Sequence, residues 1–126
     1  GLGESFPYLR KQGMQLASKM RLVSAQFNAL LENDRWLECA AAANAAAARL
    51  AESAGGVPGV EITRPVETNA VFARLPAAAV APLQERFPFY LWDEAAMEAR
   101  WMCSWSTTEQ DVKAFVLALH EAVRAV

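Results

Sequence analysis

The sequence has few groups that could hold a metal or a covalent staple. Cys39 and Cys103 are its two cysteines, far apart along the chain, and His120 is its one histidine. A structural zinc site needs about four such ligands, so no metal is expected. The two thiols should be buried and free, acting as small apolar side chains in a reducing cytoplasm. No uninterrupted apolar run approaches the ~20 residues of a membrane-spanning helix. The N-terminus also lacks the basic-then-apolar layout of a signal peptide. Neither sign of charge dominates, since 12 Lys plus Arg face 14 Asp plus Glu for a formal net charge of -2. The charges are interleaved and form no basic stripe, so neither nucleic acid nor a membrane is expected as a partner. A glycine-rich phosphate loop, an HExxH pair and a GxSxG elbow are also missing.

What remains suits one domain with a closed core: 126 residues, 54% of them hydrophobic. The chain opens on "GLGESFPYLRKQ" without an initiator methionine and enters a helical pattern almost at once, so it reads as a piece of something longer. From Leu9 the apolar or small positions are Leu9, Gly13, Leu16, Met20, Val23, Phe27 and Leu30. These steps of four and three predict one long amphipathic helix. "ENDRW" interrupts it, with Asn33 or Asp34 able to cap a second helix that runs through "LECAAAANAAAARLAESA" until Gly55 and Gly56 stop it. Its alanines favour helix and let another backbone approach closely.

Short strands are expected at Val60 to Thr63 and Asn69 to Leu75, the second closed by Pro76. "AAAVAPLQERF" reads as a short helix, with Pro82 in its first turn if it begins late. "FPFYLW" and "ARWMCSW" read as antiparallel neighbours joined by "DEAAME". In a last helix Thr107 or Thr108 is the cap, Gln110 or Asp111 lies three residues on, and Val112, Phe115, Val116, Leu119 and Val123 form the buried face. The expected fold is α+β, a small, mostly antiparallel sheet with helices packed on one face, preceded by a long helix. Residues 1–32 form that helix and residues 33–126 the small domain.

Alternation of period two puts Trp101, Cys103 and Trp105 toward the helices and Arg100, Met102 and Ser104 on the opposite side. Among residues with chemistry, His120 sits near Glu121 and Arg124 in the final helix, where a solvated or locally paired imidazole is the ordinary state. Lys19 lies on the polar side of a helix with nothing nearby to lower its pKa. Arg21 borders an apolar helix face, and the plain reading lays its stem over hydrophobic neighbours. For Arg100 the plain reading is a strand-end arginine paired with Glu98 or Glu94.

Three stretches, "YLRKQGMQLASKMRLVSAQ", "VETNAVFARLP" and "ARWMCSWSTTEQDV", occur in the order found in the C-terminal part of the low-specificity L-threonine aldolases, a group of pyridoxal-phosphate enzymes of fold type I, and the chain resembles them over almost its whole length. The resemblance implies a large domain upstream of Gly1 that carries the cofactor and its Schiff-base lysine, followed by the small C-terminal domain seen here. It implies that Arg21, the arginine of "KMR", lies near the cofactor phosphate, where many relatives carry glycines in place of Ala17, Ser18 and Lys19. It implies that Arg100 grips the substrate's α-carboxylate, that no catalytic residue lies in this piece, and that the whole enzyme is a cytoplasmic homotetramer. The implied reaction is retro-aldol cleavage of threonine and related β-hydroxy amino acids to glycine and an aldehyde. Other small domains of fold-type-I enzymes, from an aminotransferase or another β-eliminating lyase, share such an arginine, and a free-standing interaction module is a further alternative.

Overall fold

The computed structural model describes residues 3–14 and 18–125. The chain divides into two units, Gly1–Trp36 and Leu37–Val126. In the first, helix α1 (Phe6–Gln12) starts with a proline in its first turn and carries Arg10 and Lys11 in its last, both matched to the helix dipole. Gly13 caps it. Helix α2 (Met20–Leu31) follows. The pattern from Leu9 to Leu30 is thus realised as two helices, because Gly13 ends the first and both Met14 and Lys19 take left-handed backbone, with φ of 56° and 60°. Leu16, expected on the same face, lies outside the described residues. Neither helix has a buried residue. A single 3-10 turn, Glu32–Asp34, closes this unit. Asn33 and Asp34, expected as caps, are both left-handed there, a conformation these two side chains tolerate better than most.

The second unit is built on helix α3 (Arg35–Gly55), whose first two residues lie before the unit boundary. Its buried residues Ala43, Ala46, Ala47, Leu50 and Ala54 form one stripe of helical spacing. Strands β1 (Glu61–Ile62), β2 (Ala70–Arg74), β3 (Tyr90–Asp93) and β4 (Glu98–Met102) form one sheet in the order β1-β2-β4-β3, every neighbour antiparallel. Helix α4 (Ala77–Arg86) connects β2 to β3, and α5 (Glu109–Arg124) ends the chain. Val71, Ala73, Ala99 and Trp101 face one side of the sheet and join Ala46, Ala47, Leu50, Leu83 and Leu119 in one core. The second unit is α+β with α3, α4 and α5 packed on one face of the sheet, as the sequence suggests.

Pro82 lies inside α4, not in its first turn, because the helix begins at Ala77 directly after Pro76. An interior proline costs roughly 3 kcal/mol. Burial of Ala79, Val80 and Leu83 on the flanking turns offsets that cost. Helix α5 begins as expected with a capping box: the Thr108 hydroxyl accepts from the Asp111 N–H, and the Asp111 carboxylate accepts from the Thr108 N–H. An aromatic cluster fills the core end nearest α5, with Trp101 4.9 Å from Phe115 and Phe115 5.3 Å from Phe87, centroid to centroid.

Trp105 departs from the expected alternation. Trp101 is 3% exposed and Cys103 4%, but Trp105 is 69% exposed. The strand ends at Met102, and beyond it the Ser104 N–H donates to the Thr107 Oγ1 while the Thr107 N–H donates to the Ser104 carbonyl. That turn breaks the two-residue period before Trp105 is reached. In urea denaturation, Leu119→Ala should lower the unfolding free energy by about 2–5 kcal/mol and Trp105→Ala by less than about 0.5 kcal/mol. Equal losses would contradict the placement of Trp105.

Candidate functional site

The outer face of the sheet, opposite the helices, is where polar chemistry collects. Glu98, Arg100 and Met102 alternate outward along β4. Arg100 stands opposite Phe72 of β2 on one side and Tyr90 of β3 on the other, so all three share this face. The β3–β4 register slips between Leu91 and Asp93, which makes Trp92 the extra residue of a bulge. Bulges re-aim side chains. Here the Trp92 ring comes over the Arg100 guanidinium, 5.1 Å from ring centre to Cζ, and meets Phe72 edge-on at 5.6 Å.

Arg100 is half-buried, and its Nε is buried with no hydrogen-bond partner. Among the described residues no carboxylate forms an ion pair with it. The pairing with Glu98 that the sequence suggests does not form. Glu98, 6% exposed, instead accepts a 2.6 Å hydrogen bond from Thr63 Oγ1 and another of 2.6 Å from Arg64 Nη2. Thr63 above all, with Arg64, holds the Glu98 carboxyl below the usual glutamate range, against burial and the nearby Asp93. Arg64 also lies over the Phe72 ring, 4.2 Å from its centre. Two cations, Arg64 and Arg100, thus flank an aromatic pair, and one of them owns the glutamate.

Beside Arg100 lies an open depression of about 460 Å³ lined by Gln84, Pro88, Phe89, Tyr90, Arg100 and Met102. Gln84 is fixed at its edge by donating to the Phe89 carbonyl at 2.9 Å. Behind the sheet a smaller cavity of about 180 Å³ touches Trp101, Cys103 and Asp111. Burial pushes the Cys103 thiol up, the opposite of what a nucleophilic cysteine needs. Cys39 is half-buried and Cys103 buried, and both are free. His120 lines neither cavity. Its neighbour Glu121 pairs with Arg86 of α4 instead.

Arg21 belongs to the first unit, in the opening turn of α2. That turn holds no acidic residue, the N-cap Lys19 makes no side-chain hydrogen bond, and no ion pair to Arg21 occurs among the described residues. Sequence reasoning missed Thr63, Arg64 and the bulge at Trp92. Thr63 and Arg64 are 35 and 34 positions from Glu98, so no spacing rule links them. The only signal for a bulge was an aromatic run beside a short connector.

Comparison with known proteins bears on this geometry. No protein-family model matches the chain. It is 43% identical over 113 residues to a low specificity L-threonine aldolase of Pseudomonas sp. (strain NCIMB 10558), covering 89% of this chain and 32% of that protein. The chain is similar to low-specificity threonine aldolases. A second such enzyme, from Pseudomonas aeruginosa (strain PAO1), matches with the same identity and coverage. The chain therefore spans about a third of the length of the threonine aldolases it matches. Among the described residues no helix is long and apolar enough to cross a membrane, and no group of three or more His, Cys, Asp or Glu side chains could hold a metal.

Because the Glu98 pKa is lowered on folding, its contribution to stability is complete above the ordinary glutamate value of about 4.3. It is lost as pH falls through the lower folded value. Glu98→Gln should therefore lower the melting temperature at pH 7, and the gap to the parent chain should narrow as the pH is taken down through that window. A gap independent of pH would show that the carboxylate charge is not what matters.

Proposed function

We propose that this chain is the C-terminal part of a pyridoxal-phosphate-dependent lyase that cleaves L-threonine and related β-hydroxy amino acids to glycine and an aldehyde, acting in the cytoplasm within a homotetramer. The similarity to threonine aldolases supports the reaction class. The observation that carries the role of this piece is Arg100, a half-buried guanidinium on an open face with no carboxylate of its own. A guanidinium binds a carboxylate through two parallel charge-assisted hydrogen bonds, which fixes direction as well as distance. With Nε buried, the two Nη groups are the end offered to the substrate's α-carboxylate. Gripping that group sets the orientation of the α-carbon and so decides which of its bonds breaks. Breaking Cα–Cβ, with loss of the β-hydroxyl proton to a base outside this chain, releases the aldehyde and leaves an electron pair at the α-carbon, which then takes up a proton to give glycine.

The residues of this chain fit a part in holding the cofactor. The start of α2 presents the positive end of the helix dipole, with no acidic residue in its first turn, and Arg21 adds a cation. That set suits the phosphate. Pyridoxal phosphate, when bound, supplies the conjugated ring that takes up the electrons released at the α-carbon. The lysine that bonds it belongs to a large domain outside this chain, whose docking covers the exposed Tyr90, Trp92 and Met102 around Arg100.

In the full-length protein, assayed for glycine and aldehyde from L-threonine, Arg100→Lys should raise KM and lower kcat/KM by about tenfold or more, the value of a lost bidentate contact. Unchanged kinetics would remove Arg100 from substrate binding, and amino-group transfer without glycine would replace the aldolase reading by an aminotransferase one. The 126-residue chain alone, mixed with pyridoxal phosphate, should develop no absorbance from a lysine-bound cofactor. A yellow adduct lost on substitution of Lys11, Lys19 or Lys113 would place the bonding lysine here after all.

A further inference from the structure

The outer face holds three arginines, Arg64, Arg74 and Arg100, and one buried glutamate. Arg74 stands opposite Glu98 in the register but is taken by Glu61 and the Ala96 carbonyl, and Glu98 goes to Arg64, not to Arg100 two residues away. Glu98 and Arg100 are two residues apart on one strand, which puts them on the same face about 6.8 Å apart at the backbone. Both side chains are long enough to close that gap. Left to themselves they would pair, as the sequence suggests. They do not, because Arg64 and Thr63 take both carboxylate oxygens at 2.6 Å each, and Arg64 is itself braced over Phe72 at 4.2 Å. Arg100 is held by Trp92 instead, through a ring face that has no net charge and leaves its donors free.

We propose that Arg64 is a positioning residue for carboxylate binding: it sequesters Glu98 so that Arg100 stays unpaired and open to the carboxylate of an amino acid. The proposal rests on the reading of Arg100 as the substrate's carboxylate ligand. An internal carboxylate on Arg100 would compete directly with the external one, occupying the same donors and cancelling the same charge. Arg64 prevents this by giving Glu98 a better-satisfied geometry, since a nearly buried carboxylate stays where its hydrogen bonds are. Trp92 completes the arrangement without adding a competitor.

The test is a set of variants in the full-length, cofactor-loaded protein, with glycine binding measured by titration calorimetry and KM for L-threonine measured beside kcat. Arg64→Met frees Glu98, and with Arg74 across the sheet already paired to Glu61 the unpaired cation within reach is Arg100, so glycine should bind about tenfold more weakly, the size of one charge-assisted contact, with KM rising more than kcat falls. Adding Glu98→Gln to Arg64→Met removes the competitor and should restore glycine affinity to within about threefold of the parent, the range of a partly exposed charge. A structural role for Arg64 gives no such rescue, so weakened binding that Glu98→Gln leaves uncorrected overturns the proposal. Unweakened binding in Arg64→Met also overturns it. Where Arg64→Met does not fold, Arg64→Gln, which keeps a donor but no charge, takes its place with the same outcomes. Arg100→Met is the control that separates the two ideas. If it leaves glycine binding intact, the underlying reading of Arg100 fails, whereas loss in Arg100→Met with a silent Arg64→Met sinks sequestration alone.

Discussion

Between Glu98 and Met102 the chain alternates two residues of the core, Ala99 and Trp101, with three that face away, Glu98, Arg100 and Met102. Five consecutive pairings with β2 lock that alternation, from Ala70 opposite Met102 to Arg74 opposite Glu98. A slip of one residue would drive Arg100 among Leu50, Leu83 and Leu119 and put Trp101 in water. Burying an unpaired guanidinium and exposing an indole are both expensive, so the register has no close competitor. Ala73 and Ala99, opposite one another on the inner side, keep the sheet thin enough for the alanine stripe of α3 to share its core. The two faces of β4 thus serve different ends and are fixed by one constraint.

On the outer side the constraint is electrostatic. Five groups form a connected chain of four contacts: Glu98 bound by Arg64, Arg64 over Phe72, Phe72 edge-on to Trp92, and Trp92 against Arg100. A regular β3 would have no extra residue at Trp92, and the bulge supplies the ring that an acid would otherwise replace. A cation on an aromatic face has no counter-charge beside it, whereas a cation in a salt bridge does. The difference between Arg64 and Arg100 is therefore one of partner. Arg64 is paired with a carboxylate, and Arg100 is held in place by a ring and has no counter-charge.

Much of the fold was legible because it follows from local periodicity. The capping box at Thr108, the stop at Gly55, the antiparallel pairing of "FPFYLW" with "ARWMCSW" and the outward position of Arg100 all rest on spacings of two to four residues. The failures share a cause as well. The break in the first amphipathic run turns on Met14 and Lys19 adopting left-handed backbone, which neither residue type announces. Pro82 inside α4 and Trp105 outside the sheet are cases where tertiary burial or a local turn overrode the pattern. At the site, the sequence offered Glu98 as the partner of Arg100 because they are neighbours. The actual partner of Glu98, Arg64, comes from the segment after β1, and only the fold brings it there.

That substitution of partners bears on what the open face is for. A half-buried guanidinium with an orphaned Nε carries a desolvation cost, against which the Trp92 ring is its one charge-dependent contact among the described residues. A carboxylate two residues away could relieve that cost, yet the structure commits it elsewhere through two short hydrogen bonds. Local arrangements that forgo an available stabilising pair are found where a site awaits a ligand, since the pair is then completed from outside. Beside Arg100 lies a depression of about 460 Å³, and an unpaired guanidinium at its edge gives that depression the charge and the planar donor geometry that suit a small planar anion.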